Sequence, residues 1–249
     1  MSAPRGVRGF LSSRHGRLTE IALGVGGLAA YNVVRARHRA DRAVAVANAR
    51  RIADAERRLG VLVEPAVQRA LVRGRMSRTL LGAAYIASQV VALPLALRTS
   101  FRGNDPAYPA LRTMALISWT AGVAWYAWRP VAPPRMLHEM QVADTVSEGF
   151  IPMDSPAVRL FYNPYAAMPS LHVGMAPVVA WALWSSTTNP LVRAGALAYP
   201  PAVATTVVAT GQHFIADIAA GVAVVLPAWM IARRITRAGR TRITRPADA

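Results

Sequence analysis

His172 and His213 each stand at the head of a long apolar run, and Asp217 follows His213 by four residues. Four residues is one helical turn, so the carboxylate shares a face with the imidazole and can orient it and stabilise its charge. His172 ends the stretch Met168-Pro-Ser-Leu-His172. Pro169 suits a first helical turn. The free amides expected there, together with the Ser170 hydroxyl, form an anion pocket. Two imidazoles, a carboxylate and an anion pocket supply the nucleophile, the acid and the oxygen donors that phosphoryl transfer needs. The same groups also match plainer arrangements: an interfacial histidine, a structural His–Asp hydrogen bond, or a metal-ligand set.

The elements that position these groups follow from composition and spacing. The histidines are 41 residues apart. Two spans of about 20 residues carry a chain across a bilayer and back, which returns His213 to the side and depth of His172. The chain has 249 residues, of which 53% are hydrophobic and only 16% charged. A soluble domain is nearer one quarter charged, and here the apolar residues come in blocks, so a polytopic membrane protein is expected. Cysteine is absent, which removes disulfides, thiol catalysis and cysteine-ligated metals. The net charge is +17, and all 29 basic residues are arginine. That removes lysine-based mechanisms. A basic, predominantly apolar chain points to anionic membrane lipids as partners and away from nucleic acid.

The expected fold is all-α: a bundle of six transmembrane helices with an interfacial amphipathic segment. Residues 1–17 read as a basic tail, 18–232 as the membrane domain and 233–249 as a second basic tail. The predicted spans are Leu18–Val34, Thr79–Leu97, Leu111–Trp128, Met168–Ser186, Leu191–Ala209 and Phe214–Ala232. A signal peptide is the rival reading of the first run, but no convincing cleavage site follows it. Ala22, Gly26 and Ala30 form a small-residue stripe suited to close helix packing. Residues 35–78 read as amphipathic helices broken at Glu64-Pro65. Ile52, Leu59, Val63 and Val67 are expected to share their apolar face, with Arg50, Arg51, Arg57 and Arg58 elsewhere. A solvated charged connector is the alternative for this segment. It could otherwise gather anionic substrate at the interface. Trp125, Tyr126 and Trp128 at one end, and Trp181, Trp184 and Trp229 at the other, suit two interfacial belts. The arginines fall almost equally on the two sides of a six-span arrangement. The greater tolerance of long amphipathic segments for translocation favours cytosolic termini in a bacterial plasma membrane, with the histidines extracytoplasmic.

Met168-Pro-Ser-Leu-His172 and Gly211-Gln-His-Phe-Ile-Ala-Asp217 resemble the motifs of the type-2 phosphatidic acid phosphatase superfamily. The longer context Asn163-Pro-Tyr-Ala-Ala-Met-Pro-Ser-Leu-His-Val-Gly174, with Pro130-Val-Ala-Pro-Pro-Arg135 upstream, is similar to the inositolphosphotransferase branch, which includes inositol phosphorylceramide synthases. The resemblance implies a six-helix fold and metal-independent chemistry without a cofactor. It implies that His213 attacks phosphorus to form a phosphohistidine, that Asp217 holds its tautomer, and that His172 protonates the leaving oxygen and then activates water or a lipid hydroxyl. Ser170 would bind a phosphate oxygen.

Two cations of the family pattern are absent. Glycine stands at 122, where the family has lysine, and Thr206 and Val207 stand where it has Ser-Arg. Arg135 and Arg129 are the expected replacements, with Arg159 a further candidate, because a guanidinium fork suits phosphate. His138, Asp144, Asn163 and Tyr165 are candidate substrate contacts in the same loops. Simple hydrolysis of phosphatidate or a polyprenyl pyrophosphate is the nearest alternative to transfer. A catalytically degenerate scaffold and a transporter with a His/Asp proton relay are the non-enzymatic ones.

Overall fold

In the computed structural model, the described residues are 14–37, 41–102, 108–153, 155–159 and 162–244. They form eleven α-helices: α1 (Arg14–Arg37), α2 (Arg42–Arg58), α3 (Glu64–Leu71), α4 (Arg75–Val90), α5 (Ala92–Arg102), α6 (Tyr108–Trp128), α7 (Thr145–Gly149), α8 (Pro156–Arg159), α9 (Leu171–Ser185), α10 (Pro190–Ala209) and α11 (Ile215–Thr244). No strand longer than an isolated bridge occurs among these residues. Residues 1–13 of the expected N-terminal tail, and 245–249 of the C-terminal one, lie outside them. The second tail begins as helix, since α11 continues through Arg233 to Thr244.

Three helical stretches are long and apolar enough to cross a membrane: Arg75–Phe101, Pro190–Ala209 and Ile215–Thr236. Leu18–Gly27 and Leu171–Ser185 are apolar but shorter. The first stretch comprises α4 and α5, joined by a turn at Val91. Pro94 lies in the first turn of α5, where its missing N–H costs nothing. Start signals are equally local. Asn189 accepts a hydrogen bond from the Leu191 amide (2.9 Å), with Pro190 at the first helical position of α10. Asp41 does the same for α2 through Ala43 (2.7 Å).

Around the site, α9 packs between α10 and α11, and α11 packs along α6. Leu111, Met114, Met175, Val178, Val225 and Ala228 fill the seam between α6, α9 and α11. Tyr85, Val173, Ala176, Val203 and Val207 fill a second core between α4, α9 and α10. A third core lies over the loops and joins α2 to the proline-rich segment and Phe214.

Two sequence expectations change in the folded chain. Ala22, Gly26 and Ala30 are exposed and seat no helix; the close contact of α1 is Gly27 against the Trp119 ring, 3.5 Å from an added Cβ. The buried face of α2 is Ala45, Ala49, Ala53 and Glu56. Ile52 and Val67 are half-buried, while Leu59 and Val63 are exposed. Alanine wins that face because α2 lies directly on backbone: Ala132 N–H donates to Ala45 O (3.1 Å), and Asn48 Nδ2 donates to Pro130 O (2.9 Å). Larger side chains would hold the two backbones apart. The break at Glu64-Pro65 is present, with Gly60 at φ +70° closing the turn after α2. Arg50, Arg51, Arg57 and Arg58 are exposed, as the amphipathic pattern requires.

Candidate active site

The site lies where α9 and α11 begin. Ser170 is the N-cap residue of α9, and its amide donates to Asp217 O (2.9 Å), which ties the two helix starts together. Glycine permits this approach. A Cβ on Gly221 would stand 2.1 Å from Ser170 O, and one on Gly174 would stand 2.4 Å from Gly221 O.

His172 and His213 therefore face one another with ring centroids 5.9 Å apart and planes inclined at 64°. His213 is 4% exposed and Asp217 fully buried. Asp217 Oδ2 accepts from the Phe214 amide (2.9 Å) and lies 3.4 Å from His213 Nδ1. That contact occupies Nδ1 and leaves Nε2 as the free nitrogen of His213. His172 Nε2 is buried without a hydrogen-bond partner among the described residues, as is the Ser170 hydroxyl. The His172 ring rests against Tyr85, centroids 5.4 Å apart. Tyr126 donates to Pro169 O (2.7 Å) and so fixes the loop before α9.

Both imidazoles line one cavity of about 490 Å³. Near them its wall is Tyr85, Tyr126, Tyr162, Asn163 and Gln212. Beyond them it becomes apolar, with Leu93, Leu97, Leu116, Trp119, Met175 and Val179. It ends at Glu20, Tyr108 and Arg112; Glu20 accepts from the Tyr108 hydroxyl (2.7 Å) and pairs with Arg112.

Arg135 lies one layer behind the histidines. Its side chain is 3% exposed, and its Nε pairs with Asp144 Oδ2 at 3.0 Å. One terminal nitrogen donates to the Tyr162 hydroxyl (3.4 Å), and the other is buried without a partner among the described residues. Tyr162 donates in turn to Gln212 Oε1 (3.2 Å), beside His213. The Arg135 amide donates to Gly211 O (3.1 Å), locking the proline-rich loop to the His213 loop. Gly211 has φ +70°, and a Cβ there would stand 2.6 Å from Val142.

The other sequence candidates separate. Asn163 lines the cavity, and its Oδ1 accepts from the Tyr165 amide (3.0 Å). Asp144 is the Arg135 counter-ion and the N-cap of α7. Arg129 is exposed and stacks on Trp128, 5.1 Å from the ring centroid, so it is not in the cavity wall. The physical reason is that α6 ends at Trp128, and Arg129 follows the aromatic surface outward. His138 is exposed in a 3-10 turn. Tyr165 packs on the Phe214 core instead of lining the cavity. The Arg159 side chain is outside the described residues. Among the described residues no three His, Asp or Glu side chains converge as a metal-ligand set.

The profile of the PAP2 superfamily matches residues 50–231, which contain Arg135, Ser170, His172, His213 and Asp217. The chain belongs to the PAP2 superfamily. A search of curated proteins finds no similar one, and neither does a search of solved structures. Superfamily members are usually phosphatases, and membership suggests phosphatase or phosphotransferase activity on lipid-like phosphate esters. The long apolar helices and the superfamily match are together consistent with a membrane protein.

The missing cations have a structural cause. Gly122 is buried against α9, and a Cβ there would stand 2.7 Å from Leu171 Cδ1. Val207 is fully buried in the α4–α9–α10 core, and the Thr206 hydroxyl is spent on Ala202 O (2.8 Å). Helix packing has taken both places, and Arg135 is the buried guanidinium that remains beside the site. Sequence reasoning missed Tyr162, Gln212, Tyr85, Tyr126, Glu56, Glu64 and Gln68. Gln212 and Tyr162 adjoin motif residues, and that adjacency was the available signal. The others lie in distant helices and carry none.

Proposed function

We propose that this chain is a membrane enzyme that cleaves or transfers a phosphate ester of a lipid through a phosphohistidine on His213. The observation that carries the reading is the pair of imidazoles facing one cavity, His213 backed by Asp217 and His172 with a free Nε2. In the first step His213 Nε2 attacks phosphorus and the ester P–O bond breaks. His172 gives its proton to the leaving oxygen. In the second step the acceptor O–H attacks phosphorus, His172 takes the proton, and the P–N bond breaks. Asp217 keeps the Nδ1 proton in place and stabilises the charged ring. The unpartnered Ser170 hydroxyl is the donor for a phosphate oxygen, and Arg135, one layer behind the cavity wall, supplies the positive charge. The chemistry needs no metal in this scheme.

The apolar continuation of the cavity supports a lipid tail as the rest of the substrate. The proline-rich loop and the Asn163–Gly174 stretch support the inositolphosphotransferase-like branch, in which the acceptor is a lipid alcohol. The two loops are bound together: Val131 N–H donates to Tyr165 O (2.9 Å), and Ala167 N–H to Val131 O (3.2 Å). The full reading has six helices crossing the plasma membrane, both termini cytosolic and the histidines on the outer side.

The test is purified protein in detergent offered phosphatidylinositol, phosphatidate and a polyprenyl pyrophosphate, with and without a lipid alcohol. Labelled headgroup on a second lipid supports transfer, and free phosphate alone supports hydrolysis. Absence of turnover on all three, by protein that is folded, removes the reading. Turnover that persists in EDTA supports the metal-free scheme; turnover abolished by EDTA and restored by a divalent cation would contradict it.

A further inference from the structure

The first turn of α11, which follows His213 directly, is held by three carboxyl groups. Asp217 takes the Phe214 amide. The other two come from the amphipathic segment far away in sequence. Glu64 Oε1 accepts from the Ile215 amide (3.0 Å), and Glu56 Oε1 accepts from the Ala216 amide (2.6 Å). A helix start carries unpaired N–H groups and positive potential, which explains why carboxyl groups gather there. Burial is the unusual part. Glu56 is 3% exposed and Glu64 fully buried, and Oε2 of each has no hydrogen-bond partner among the described residues. The charged groups that face Glu56 are Glu64 and Asp217, both acidic, and burial with these neighbours pushes the Glu56 carboxyl up to about 8. Buried acidic groups that face one another are costly when charged, and a proton on Glu56 relieves that cost.

We propose that Glu56 and Glu64 are positioning residues: two buried carboxyl groups, from α2 and α3, that fix the first turn of α11 and, through it, the ring of His213. Neither touches the cavity. Their role is to carry the amphipathic segment's packing into the geometry of the nucleophile. Gln68 extends the clamp, since its Nε2 donates to Ala143 O, in the loop before α7, and to Ala209 O, at the end of α10 (both 3.0 Å). The kinetic side of the proposal rests on the phosphohistidine reading above; the structural side does not.

The test uses the full-length chain in detergent. E56A and E64A are expected to lower kcat roughly 10- to 100-fold with KM nearly unchanged, the scale expected when a reacting group is displaced by about 1 Å. Amide exchange in the peptide 211–218 should rise in both. E56Q should recover most of the kcat lost in E56A, because its amide oxygen still accepts from Ala216 and its NH₂ can donate to Glu64. Folded alanine variants with wild-type kcat and exchange would overturn the proposal, as would an E56Q as impaired as E56A. Should the alanine variants not fold, E56Q decides by its pH profile. It should hold kcat to higher pH than the wild type, which loses the Glu56 proton there, and superimposable profiles would overturn the proposal. A wild type inert on every phosphate ester would sink the functional reading alone, and exchange at 211–218 would still judge the positioning.

Discussion

Gly221 brings the backbone of α11 onto the carbonyl of Ser170, where a Cβ would stand 2.1 Å from the oxygen. Across the same crossing, a Cβ on Gly174 would stand 2.4 Å from Gly221 O. Both partners of each contact are backbone, which cannot swing aside as a side chain does. The helix carrying His172 and the helix carrying Asp217 are thus in register because of two hydrogens in place of two methyl groups.

G221A is therefore expected to force the helix starts apart. Overpacking of this kind costs about 1–3 kcal/mol or more, and the separation of the imidazoles should lower kcat with it. G195A is the control: nothing lies within 4 Å of a Cβ there, inside α10. That change should leave activity intact and stabilise slightly, by about 0.5–1 kcal/mol at most. Thermal unfolding in detergent, paired with turnover, checks both.

Asp217 reaches His213 Nδ1 at 3.4 Å and is fully buried. D217N keeps the size and loses the charge that holds the tautomer. A fall in kcat of roughly 10²- to 10⁴-fold is expected, with a much smaller change in KM. Steady-state kinetics on one soluble lipid phosphate would measure it.

Arg135 and Arg129 should behave oppositely. R135K keeps a charge but loses the planar fork that spans Asp144 and Tyr162. Turnover is expected to fall by about tenfold or more, a loss of at least about 1.4 kcal/mol of transition-state stabilisation. R129A removes an exposed guanidinium from Trp128 and should stay within about twofold. Equal effects in the two variants would mean that Arg135 is not the phosphate cation.

The raised Glu56 carboxyl gives a stability prediction with a definite sign. Its ordinary value of 4.5 moves to about 8 in the fold. Between these values the folded chain holds a proton that the unfolded chain has lost, so stability falls as pH rises through that window. In E56Q this contribution is absent. Wild-type Tm should decline more steeply than that of E56Q between pH 5 and pH 8, as thermal scans across buffers would show.

The histidine motifs and their 41-residue separation were enough to bring His172 and His213 to one cavity, because apolar length and helix rise set where a chain re-emerges. The break at Glu64-Pro65 was legible for a similar reason, since proline acts on its own neighbours. The buried face of α2 was not. Hydrophobic periodicity favoured Ile52 and Leu59, but contact with the Pro130–Ala132 backbone selected alanine. Arg129 was indistinguishable from Arg135 on charge and nearness to the loop. Only the direction taken after Trp128 separates them. Glu56 was not singled out in the sequence and Glu64 only for the break before Pro65, because their capping of α11 depends on contacts across 160 and 151 residues of chain.

The most direct measurement is the site of the phosphoenzyme. Purified protein is mixed for milliseconds with a lipid carrying a labelled phosphate, quenched in base to preserve phosphohistidine, and digested for mass spectrometry. Label on His213, absent from H213A and with turnover lost in both H213A and H172A, is the expected result. Label on any other residue, or an H213A protein that still turns over substrate at the wild-type rate, would contradict the account.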